Sequence, residues 1–367
     1  MSSFNEIYIL DLHGNSLKKE KCPDGSKDKN VFDIKQGVAI ALFIKRKGNF
    51  PITPLEKSVR LATEGGRGGF DCKVFHSEIW GLREKKYDWL LQNDIKTTNW
   101  QRLSPKSEFY FFIPREEKLL RRYEKYPKIT EIFPLNGVGM TTARDSFVTD
   151  RDKNTLLNRI RLFKNSKYSD EELHSFFQIN KKKGWSIRKA WNMLQSIPDS
   201  DLNKFILPVL CRPFDVQWIF YHDSVVWRTV KRVMGHMMKE NMGLIVTRQV
   251  VRDYRHAFCV NNIINFNALD TAGRFGSGCL FPLYTYPEVD IKNLFSTLKE
   301  AGGRQPNIST ALIKALAEAN KNQLNPEDIF HYIYAVLYSN VFRTKYAEFL
   351  RTDFPRVPFT KDYKLFC

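Results

Sequence analysis

Residues 38–44 read Val-Ala-Ile-Ala-Leu-Phe-Ile, an unbroken apolar run with the length of a β-strand. A short run without polar alternation is typical of a strand that is covered on both faces, as in the middle of an α/β sheet. A second apolar stretch, Ile7–Leu10, predicts the other strand of a terminal β-hairpin. Two strands cannot provide that covering alone. We therefore expect other strands of this sheet to come from elsewhere in the protein.

Downstream of the hairpin, the pattern alternates between short strands and helices. The strand candidates are 74–80, 109–113, 216–221, 243–247 and 257–260, and the helix candidates are 83–91, 155–163, 187–194 and 229–240. From residue 291 onward the pattern is helical, with helices predicted over 308–320, 325–338 and 342–350. Asn325 and Pro326 predict the start of the second helix, because Asn caps a helix and Pro fits its first turn. Pro355 predicts that the third helix ends before it.

These patterns predict a mixed α/β fold in four segments. They are a terminal hairpin (1–47), a connector (48–125), a basic α/β domain (126–290) and a helical C-terminal subdomain (291–367).

The composition indicates a folded protein with a polyanionic partner. Of the 367 residues, 43% are hydrophobic and 14% aromatic, which excludes a disordered chain. Lys and Arg number 58 and Asp and Glu 40, so the net charge is +18. Residues 151–255 carry 20 basic against 10 acidic side chains, an excess of ten positive charges. This excess favours a nucleic acid partner, and the alternative is a soluble protein from a lysine-rich proteome.

Other classes of protein lack support in the sequence. The six cysteines are far apart without a C-x-x-C pair, and the histidines are scattered, so we expect neither a metal site nor a disulfide framework. No apolar run reaches transmembrane length, and residues 1–7 lack the features of a signal peptide. We therefore expect a cytoplasmic protein without a membrane partner.

Several motifs occur in a consistent order along most of the chain. They are Ile9-Leu10-Asp11-Leu12-His13-Gly14-Asn15, Pro23-Asp24-Gly25, Val31-Phe32-Asp33-Ile34-Lys35-Gln36-Gly37, Thr142-Ala143-Arg144-Asp145, Arg212-Pro213-Phe214-Asp215, Pro282-Leu283-Tyr284, Asp328-Ile329-Phe330-His331-Tyr332 and Asp353-Phe354-Pro355-Arg356. Together they resemble the C-terminal, target-recognition part of Type ISP and related Type IIG restriction–modification enzymes, which belong to the adenine-specific DNA methyltransferases.

The resemblance implies that this chain recognises DNA while another part of a larger enzyme carries out catalysis. Residues 1–47 resemble the last strands of a Rossmann-like methyltransferase sheet, and 126–290 resemble a domain that binds double-stranded DNA. The glycine-containing loop for S-adenosylmethionine and the Asn-Pro-Pro-Tyr segment of such enzymes are both absent from the sequence. We therefore expect a fragment or a split-gene subunit that holds no cofactor and no catalytic residue. Its methyltransferase and nuclease portion would be supplied in cis or as a separate chain.

Phe32 is the one candidate for contact with the target base. An enzyme that modifies adenine flips the base out of the duplex and stacks it on side chains. Phe32 lies just before the strand at 38–44, where similar methyltransferases keep an aromatic residue against the flipped base. The alternative is a core phenylalanine in a hairpin loop.

A cluster of basic and aromatic residues is the main candidate for DNA contact. The basic members are Arg228, Lys231, Arg232, Lys239, Arg248, Arg252 and Arg255, interleaved with Trp218, Tyr221, Trp227 and Tyr254. Basic side chains neutralise phosphates, and arginine can bind guanine through two hydrogen bonds in the major groove. The alternative is an ordinary solvated face.

Three further arginines lie in loops. Arg144 follows the glycine-containing stretch 136–139, where the backbone could approach a phosphate, and the alternative is a tight turn. Arg212 flanks Pro213-Phe214 and either contacts DNA or pairs with Asp215 to hold a turn. Arg274 lies in the glycine-rich stretch 273–278, which is either a recognition loop or a slack connection.

The sequence thus predicts recognition of a specific double-stranded DNA site, directing adenine methylation by a catalytic domain outside this chain. Two alternatives stay open. One is an inactive remnant of a truncated gene, and the other is a basic module that binds acidic proteins.

Overall fold

The computed structural model describes residues 4–17, 19–45, 72–105, 112–114, 116–179, 184–250, 254–269, 277–286, 303–320, 324–362 and 366. The chain forms two compact units, Met1–Glu117 and Lys118–Cys367. Strands and helices occur in both, so the mixed α/β class that the sequence predicts is confirmed. The single division differs from the four segments expected from sequence, because strands of the expected connector join the sheet of the first unit.

The first unit is built on a four-stranded sheet. Its elements are β1 (Glu6–Asp11), β2 (Ala39–Ile44), β3 (Lys73–Glu78), α1 (Arg83–Gln92) and β4 (Gln101–Leu103). The strand order is β2-β1-β3-β4, with β2 antiparallel and β3 parallel to β1. The predicted pairing of the two N-terminal apolar strands is therefore present, and the helix expected near 83–91 is α1.

β2 departs from the expected environment of a central strand. It is the edge strand of the sheet, and Ile40, Leu42 and Phe43 are exposed. Within the described residues, neither face of this apolar strand is covered as the sequence pattern predicts. Hydrophobicity indicates which environment would suit a strand and not which strands are present, and no described strand pairs with the outer edge of β2.

The second unit contains the remaining elements. Its helices are α2 (Glu117–Tyr123), α3 (Ile129–Ile132), α4 (Asp145–Val148), α5 (Lys153–Asn165), α6 (Asp170–Phe176), α7 (Ile187–Gln195), α8 (Lys231–Met234), α9 (Thr310–Asn320), α10 (Pro326–Tyr338), α11 (Asn340–Lys345) and α12 (Ala347–Leu350). Its strands are β5 (Gly137–Val138), β6 (Thr149–Asp150), β7 (Ile206–Arg212), β8 (Asp215–Phe220), β9 (Gly243–Thr247), β10 (Ala257–Val260), β11 (Ile263–Ile264), β12 (Gly278–Pro282), β13 (Tyr284–Thr285) and β14 (Gln305–Pro306).

A sheet of order β10-β9-β12-β5, whose two central strands β9 and β12 are fully buried, separates two hydrophobic cores of this unit. Side chains alternate between the faces of a strand, so Ile245 of β9 enters one core while Leu244 and Val246 enter the other. The first core also holds the β11-β7-β8-β6 sheet and helices α5 to α7. The second core holds the C-terminal helices, so the predicted helical subdomain shares its core with the basic domain.

Several predicted elements occur close to their expected bounds, and others differ. β9 and β10 coincide with the predictions, and α10 begins at Pro326 with the Asp328 carboxylate accepting a hydrogen bond from the Asn325 N–H at 3.2 Å. The basic helix expected over 229–240 contains only the short α8, followed by a 3-10 turn over Gly235–Met238. The strand expected over 109–113 lies largely outside the described residues.

Candidate nucleic-acid interface

Two segments that are distant in sequence pair with each other in the second unit. The Arg228 N–H donates to the Thr141 carbonyl at 2.9 Å, and the Thr141 N–H donates to the Arg228 carbonyl at 3.0 Å. The Trp227 N–H also donates to the Thr142 carbonyl at 3.2 Å. This pairing joins the 140–144 and 225–228 segments, which we call the paired segments. It fixes the backbone from which the exposed Arg228 side chain projects.

Gly139 brings the paired segments against a third part of the chain. The Met140 N–H donates to the Ile264 carbonyl at 2.9 Å, and the Phe266 N–H donates to the Met140 carbonyl at 2.7 Å. A Cβ atom at position 139 would lie 2.7 Å from the Phe266 nitrogen, which is closer than non-bonded atoms approach. The absence of a side chain at Gly139 therefore permits this close backbone contact.

Replacing Gly139 with alanine is expected to lower the free energy of unfolding by about 1–3 kcal/mol, the range for overpacking a site that cannot relax. The clash is with backbone atoms, which cannot rotate away as a side chain can. Urea denaturation monitored by tryptophan fluorescence measures the change. Gly235→Ala is the control, since a Cβ at Gly235 meets no atom within 4 Å. Equal stability of both variants would contradict the described packing.

Arg144, the last residue of the first paired segment, is buried, with only 5% of its surface exposed. Its guanidinium lies 3.7 Å from the centroid of the Trp185 ring and 6.0 Å from that of Trp227. Nη1 donates to the Val225 carbonyl at 2.7 Å and to the Thr142 carbonyl at 3.2 Å. Nε and Nη2 are buried and make no hydrogen bond with the described residues.

The sequence suggested that Arg144 lies in a loop that a phosphate could approach, whereas the structure buries it. Burial disfavours the charged form, and it lowers the pKa of Arg144 to about 10. The side chain stays protonated at neutral pH and stacks on indole faces, which attract a cation. Arg144 therefore stabilises the paired segments from within and is not available on their surface.

Lys231 and Arg232 begin α8 beside the paired segments. Lys231 forms an ion pair with Asp223, whose carboxylate also accepts a hydrogen bond from the Thr229 hydroxyl at 2.8 Å. Burial alone would raise the pKa of Asp223, but the hydrogen bonds from Lys231 and Thr229 outweigh it and lower the pKa. Arg232 donates to the Asn136 carbonyl at 2.9 Å. Both cations are exposed yet already have partners within the unit.

Arg248 contacts a different part of the unit. Its Nε lies 3.0 Å from Oδ1 of Asp353, and Nζ of Lys128 lies 2.8 Å from Oδ2 of the same carboxylate. Burial opposes ionisation of Asp353, but the hydrogen bond from Lys128 and those from Phe354 and Arg248 outweigh it and lower the pKa of Asp353. The predicted 228–255 cluster is thus divided. Arg255 is exposed, and Arg252 and Arg274 lie outside the described residues.

Arg212 lies at the tip of the β7–β8 hairpin and is exposed. Its Nη1 donates to the Cys211 carbonyl at 2.6 Å. The alternative ion pair with Asp215 is not formed, although the two residues face each other in the register of the hairpin. The Asp215 carboxylate instead accepts a hydrogen bond from the Gln217 amide at 2.9 Å.

Phe32 lies in the first unit on the loop before β2, and 56% of its surface is exposed. The alternative of a core phenylalanine is therefore not what the structure contains. The loop is held by Asn30, whose side chain accepts a hydrogen bond from the Phe32 N–H at 2.8 Å and donates to the Gly14 carbonyl at 3.3 Å. The Arg83 Nε donates to the Asn30 carbonyl at 2.9 Å.

A buried ion pair fixes the start of this loop. Nζ of Lys86 lies 2.6 Å from Oδ1 of Asp28, and neither side chain is accessible to solvent. Nζ also donates to the carbonyls of Leu12 and Lys29, each at 2.7 Å. The Asp28 carboxylate accepts hydrogen bonds from the N–H groups of Gly14 and Gly81 at 2.6 and 2.8 Å. The charges are therefore compensated on all sides, as buried charges must be.

Two other features, a metal site and a membrane-spanning helix, are absent from the described residues. No group of three or more His, Cys, Asp or Glu side chains there could hold a metal ion. No described helix is long and apolar enough to cross a membrane.

Residues 131–367 match the family model described as the Type ISP C-terminal specificity domain. The chain belongs to this family. The specificity domain includes the paired segments, the β7–β8 hairpin and most of the second core, and it coincides closely with the second unit. No curated protein matches the sequence.

Solved structures share the fold at low sequence identity. A chain of the "cryoEM structure DrdV-DNA complex" is 22% identical with a TM-score of 0.58, over 99% of this chain and 34% of that one. The Type ISP restriction-modification enzyme LlaGI, a nuclease-deletion mutant in complex with a DNA substrate mimic, is 18% identical with a TM-score of 0.54, over 99% and 26%. The ATP-dependent Type ISP enzyme LlaBIII bound to DNA is 16% identical with a TM-score of 0.57, over 100% and 22%. This chain therefore spans about a third or less of those proteins.

Sequence analysis did not include Trp185 among the candidates, and it did not relate either Trp185 or Trp227 to Arg144. Trp185 and Trp227 are 42 positions apart, and no periodicity relates them to each other or to Arg144. The only signal was the abundance of tryptophan near basic residues. Contact between them follows from the pairing of the segments, which a local pattern does not encode.

Proposed function

We propose that this chain recognises a specific double-stranded DNA sequence for a restriction–modification enzyme. One observation carries the proposal: the region matched as a specificity domain contains the paired segments that display Arg228. The excess of ten positive charges over 151–255 supplies the general attraction for phosphates. The similar solved structures of DrdV, LlaGI and LlaBIII are complexes with DNA or a DNA substrate mimic, which favours the same partner for this chain.

The finer assignments follow from the resemblance and are part of the proposal. We assign residues 1–47 to the last strands of a Rossmann-like, adenine-specific methyltransferase domain, in which Phe32 stacks on the flipped target base. Exposure of Phe32 and the hydrogen-bonded loop beneath it support this role. The rest of that domain and any nuclease are assigned to a portion outside this chain, in a soluble cytoplasmic enzyme.

Among the described residues, the glycine-containing loop after β1 does not fit S-adenosylmethionine. The loop after β1 contains Gly14 at a φ of +84°, but a Cβ there would lie 2.6 Å from the Asn30 backbone nitrogen. The space beside this glycine is therefore filled by the protein itself and not left for a cofactor. We assign no cofactor contact, and no methyl transfer, to the chain alone.

Alanine variants of Arg228 and Arg248 test this proposal, because only one of the two side chains has a partner within the described residues. Arg228 makes no side-chain hydrogen bond or ion pair with other described residues, whereas Arg248 is held by Asp353. Arg228→Ala is expected to weaken binding to the preferred site by about 1–3 kcal/mol if it contacts a base, with little effect on other sequences. A phosphate contact would weaken all sequences about equally.

Competition binding of each variant against a randomised duplex library distinguishes these outcomes. Arg248→Ala serves as the matched control, because the structure assigns its guanidinium to the Asp353 carboxylate. Arg212, Arg232, Arg255, Arg252 and Arg274 complete the set of alanine variants. Parental affinity and preference in all of them would remove the arginines from the recognition surface.

A further inference from the structure

The β7–β8 hairpin carries an aromatic ring almost free in solvent. The two strands are joined by Pro213-Phe214, with Arg212 opposite Asp215 in the register. The Phe214 side chain is 89% exposed, the highest value for a large apolar residue in the described part of the chain. A single exposed apolar residue is common and is not by itself evidence of a function. The backbone conformation at Phe214 supplies the additional evidence.

The backbone at Phe214 disfavours the residue that occupies it. Its φ is +64°, in the left-handed region. A turn with proline in the second position and positive φ in the third is the pattern of a type II turn, in which glycine or asparagine is favoured. A branched or bulky residue there is an outlier. Local stability therefore favours glycine, whereas the sequence places a phenylalanine in a strained conformation and in water.

The ring is also supported from one side. Phe258 of β10 meets it edge to face, with ring centroids 5.7 Å apart and an interplanar angle of 79°. Phe258 itself packs against the first core. The turn joins the antiparallel strands β7 and β8, which pair from Ile206 to Arg212 with one register shift between Leu210 and Arg212. The ring is thus presented on a firm support and not on a loose loop, as a recognition element requires.

The surroundings of the ring favour DNA over another protein surface. Arg212 is exposed two residues away, and the hairpin lies within the stretch that has ten excess positive charges. DNA-bending proteins insert apolar side chains between neighbouring bases while basic side chains contact the adjacent phosphates. The exposed Phe214 ring could supply the inserted apolar side chain, and the exposed Arg212 guanidinium could supply the phosphate contact.

We propose that Phe214 inserts as a wedge between two stacked bases of the bound duplex, with Arg212 on a neighbouring phosphate. The inference rests on the proposed function, because it requires DNA to bind this unit. It adds a residue that acts on the base stack, separate from the arginines that contact base edges. Sequence preference would then depend also on how easily the wedged step unstacks.

The test uses the full chain and a duplex of its preferred sequence, selected beforehand from a random library. 2-Aminopurine, an adenine analogue that fluoresces when unstacked, is placed at each position in turn. Phe214→Gly and Phe214→Asn remove the ring and suit the left-handed backbone, so both are expected to fold. Phe214→Trp keeps a ring, and Val341→Ala is the control, since Val341 is 76% exposed on α11 of the same unit.

Binding of the parent chain, Phe214→Trp and Val341→Ala is expected to raise the fluorescence at one step of the site. Phe214→Gly and Phe214→Asn are expected to lose that signal and to bind about ten-fold more weakly, the loss typical of one ring–base stacking contact. Unchanged affinity and fluorescence in both would overturn the wedge while leaving DNA recognition intact. If they bind DNA normally but fail to associate with the rest of the enzyme, Phe214 is a protein contact and the wedge is wrong. Absence of DNA binding by the parent chain would overturn the proposed function together with the wedge.

Discussion

Asp28→Ala is expected to destabilise the first unit by about 3–5 kcal/mol, the cost of leaving one buried charge without its partner. The Lys86 ammonium would remain inaccessible to solvent with only the carbonyls of Leu12 and Lys29 as acceptors. The N–H groups of Gly14 and Gly81 would also lose their acceptor. Hydrogen exchange of the amides in β1 and β3 measures the loss of protection within this unit.

The Asp33–Arg83 ion pair provides the control for this substitution. Asp33 lies on the same loop and pairs with Arg83 of α1 at 2.6 Å, but the Asp33 side chain is 92% exposed. Water screens such a pair, so Asp33→Ala is expected to leave hydrogen exchange in β1 and β3 unchanged. If Asp28→Ala exchanged no faster than Asp33→Ala, the buried pair would not hold the loop that carries Phe32. Phe32 would then lack the rigid support assigned to it.

Raising the salt concentration from about 50 to about 200 mM is expected to weaken DNA binding by about 10²- to 10⁴-fold. If about 4–8 phosphates are neutralised, the logarithm of the association constant falls against the logarithm of the salt concentration with a slope of roughly −4 to −7. The charge that drives this effect is the excess of ten over 151–255. Fluorescence anisotropy of a labelled duplex measures the slope.

Alanine variants determine which cations contribute to that slope. Arg228→Ala is expected to reduce its magnitude by about one if the guanidinium contacts a phosphate. Lys204→Ala is the control, because Lys204 is 71% exposed and already paired with Asp201 at 2.8 Å. A flat salt response of the parent chain would contradict binding through the phosphate backbone.

Local sequence patterns predicted the elements whose formation depends on local chemistry. β9 and β10 were found at their predicted bounds, and α10 begins at the proline that its capping pattern indicated. The pattern also predicted that the apolar strand at 38–44 pairs with the first strand. It did not predict that this strand lies at an exposed edge of the sheet. The hydrophobicity of a strand does not reveal which other strands pair with it.

The candidate site was harder to predict because its geometry depends on distant segments. Arg144 was expected in an open loop, yet the pairing of Thr141 with Arg228 places it against Trp185 and Val225. Arg228 and Arg248 are close in sequence, yet the Arg228 backbone pairs with Thr141 whereas the Arg248 side chain pairs with Asp353. The positive φ of Phe214 likewise arises from a turn whose sequence does not favour it.

Selection of bound sequences from a fully randomised duplex library at near-physiological salt shows whether this chain recognises a particular DNA sequence. We expect enrichment of one short sequence that is bound roughly 10³-fold or more tightly than unselected DNA, the usual margin of specific over non-specific binding. A library that stays random after repeated rounds, with heparin competing as well as any duplex, would contradict it. The positive charge of the chain would then serve general attraction to polyanions, and not the recognition of a site.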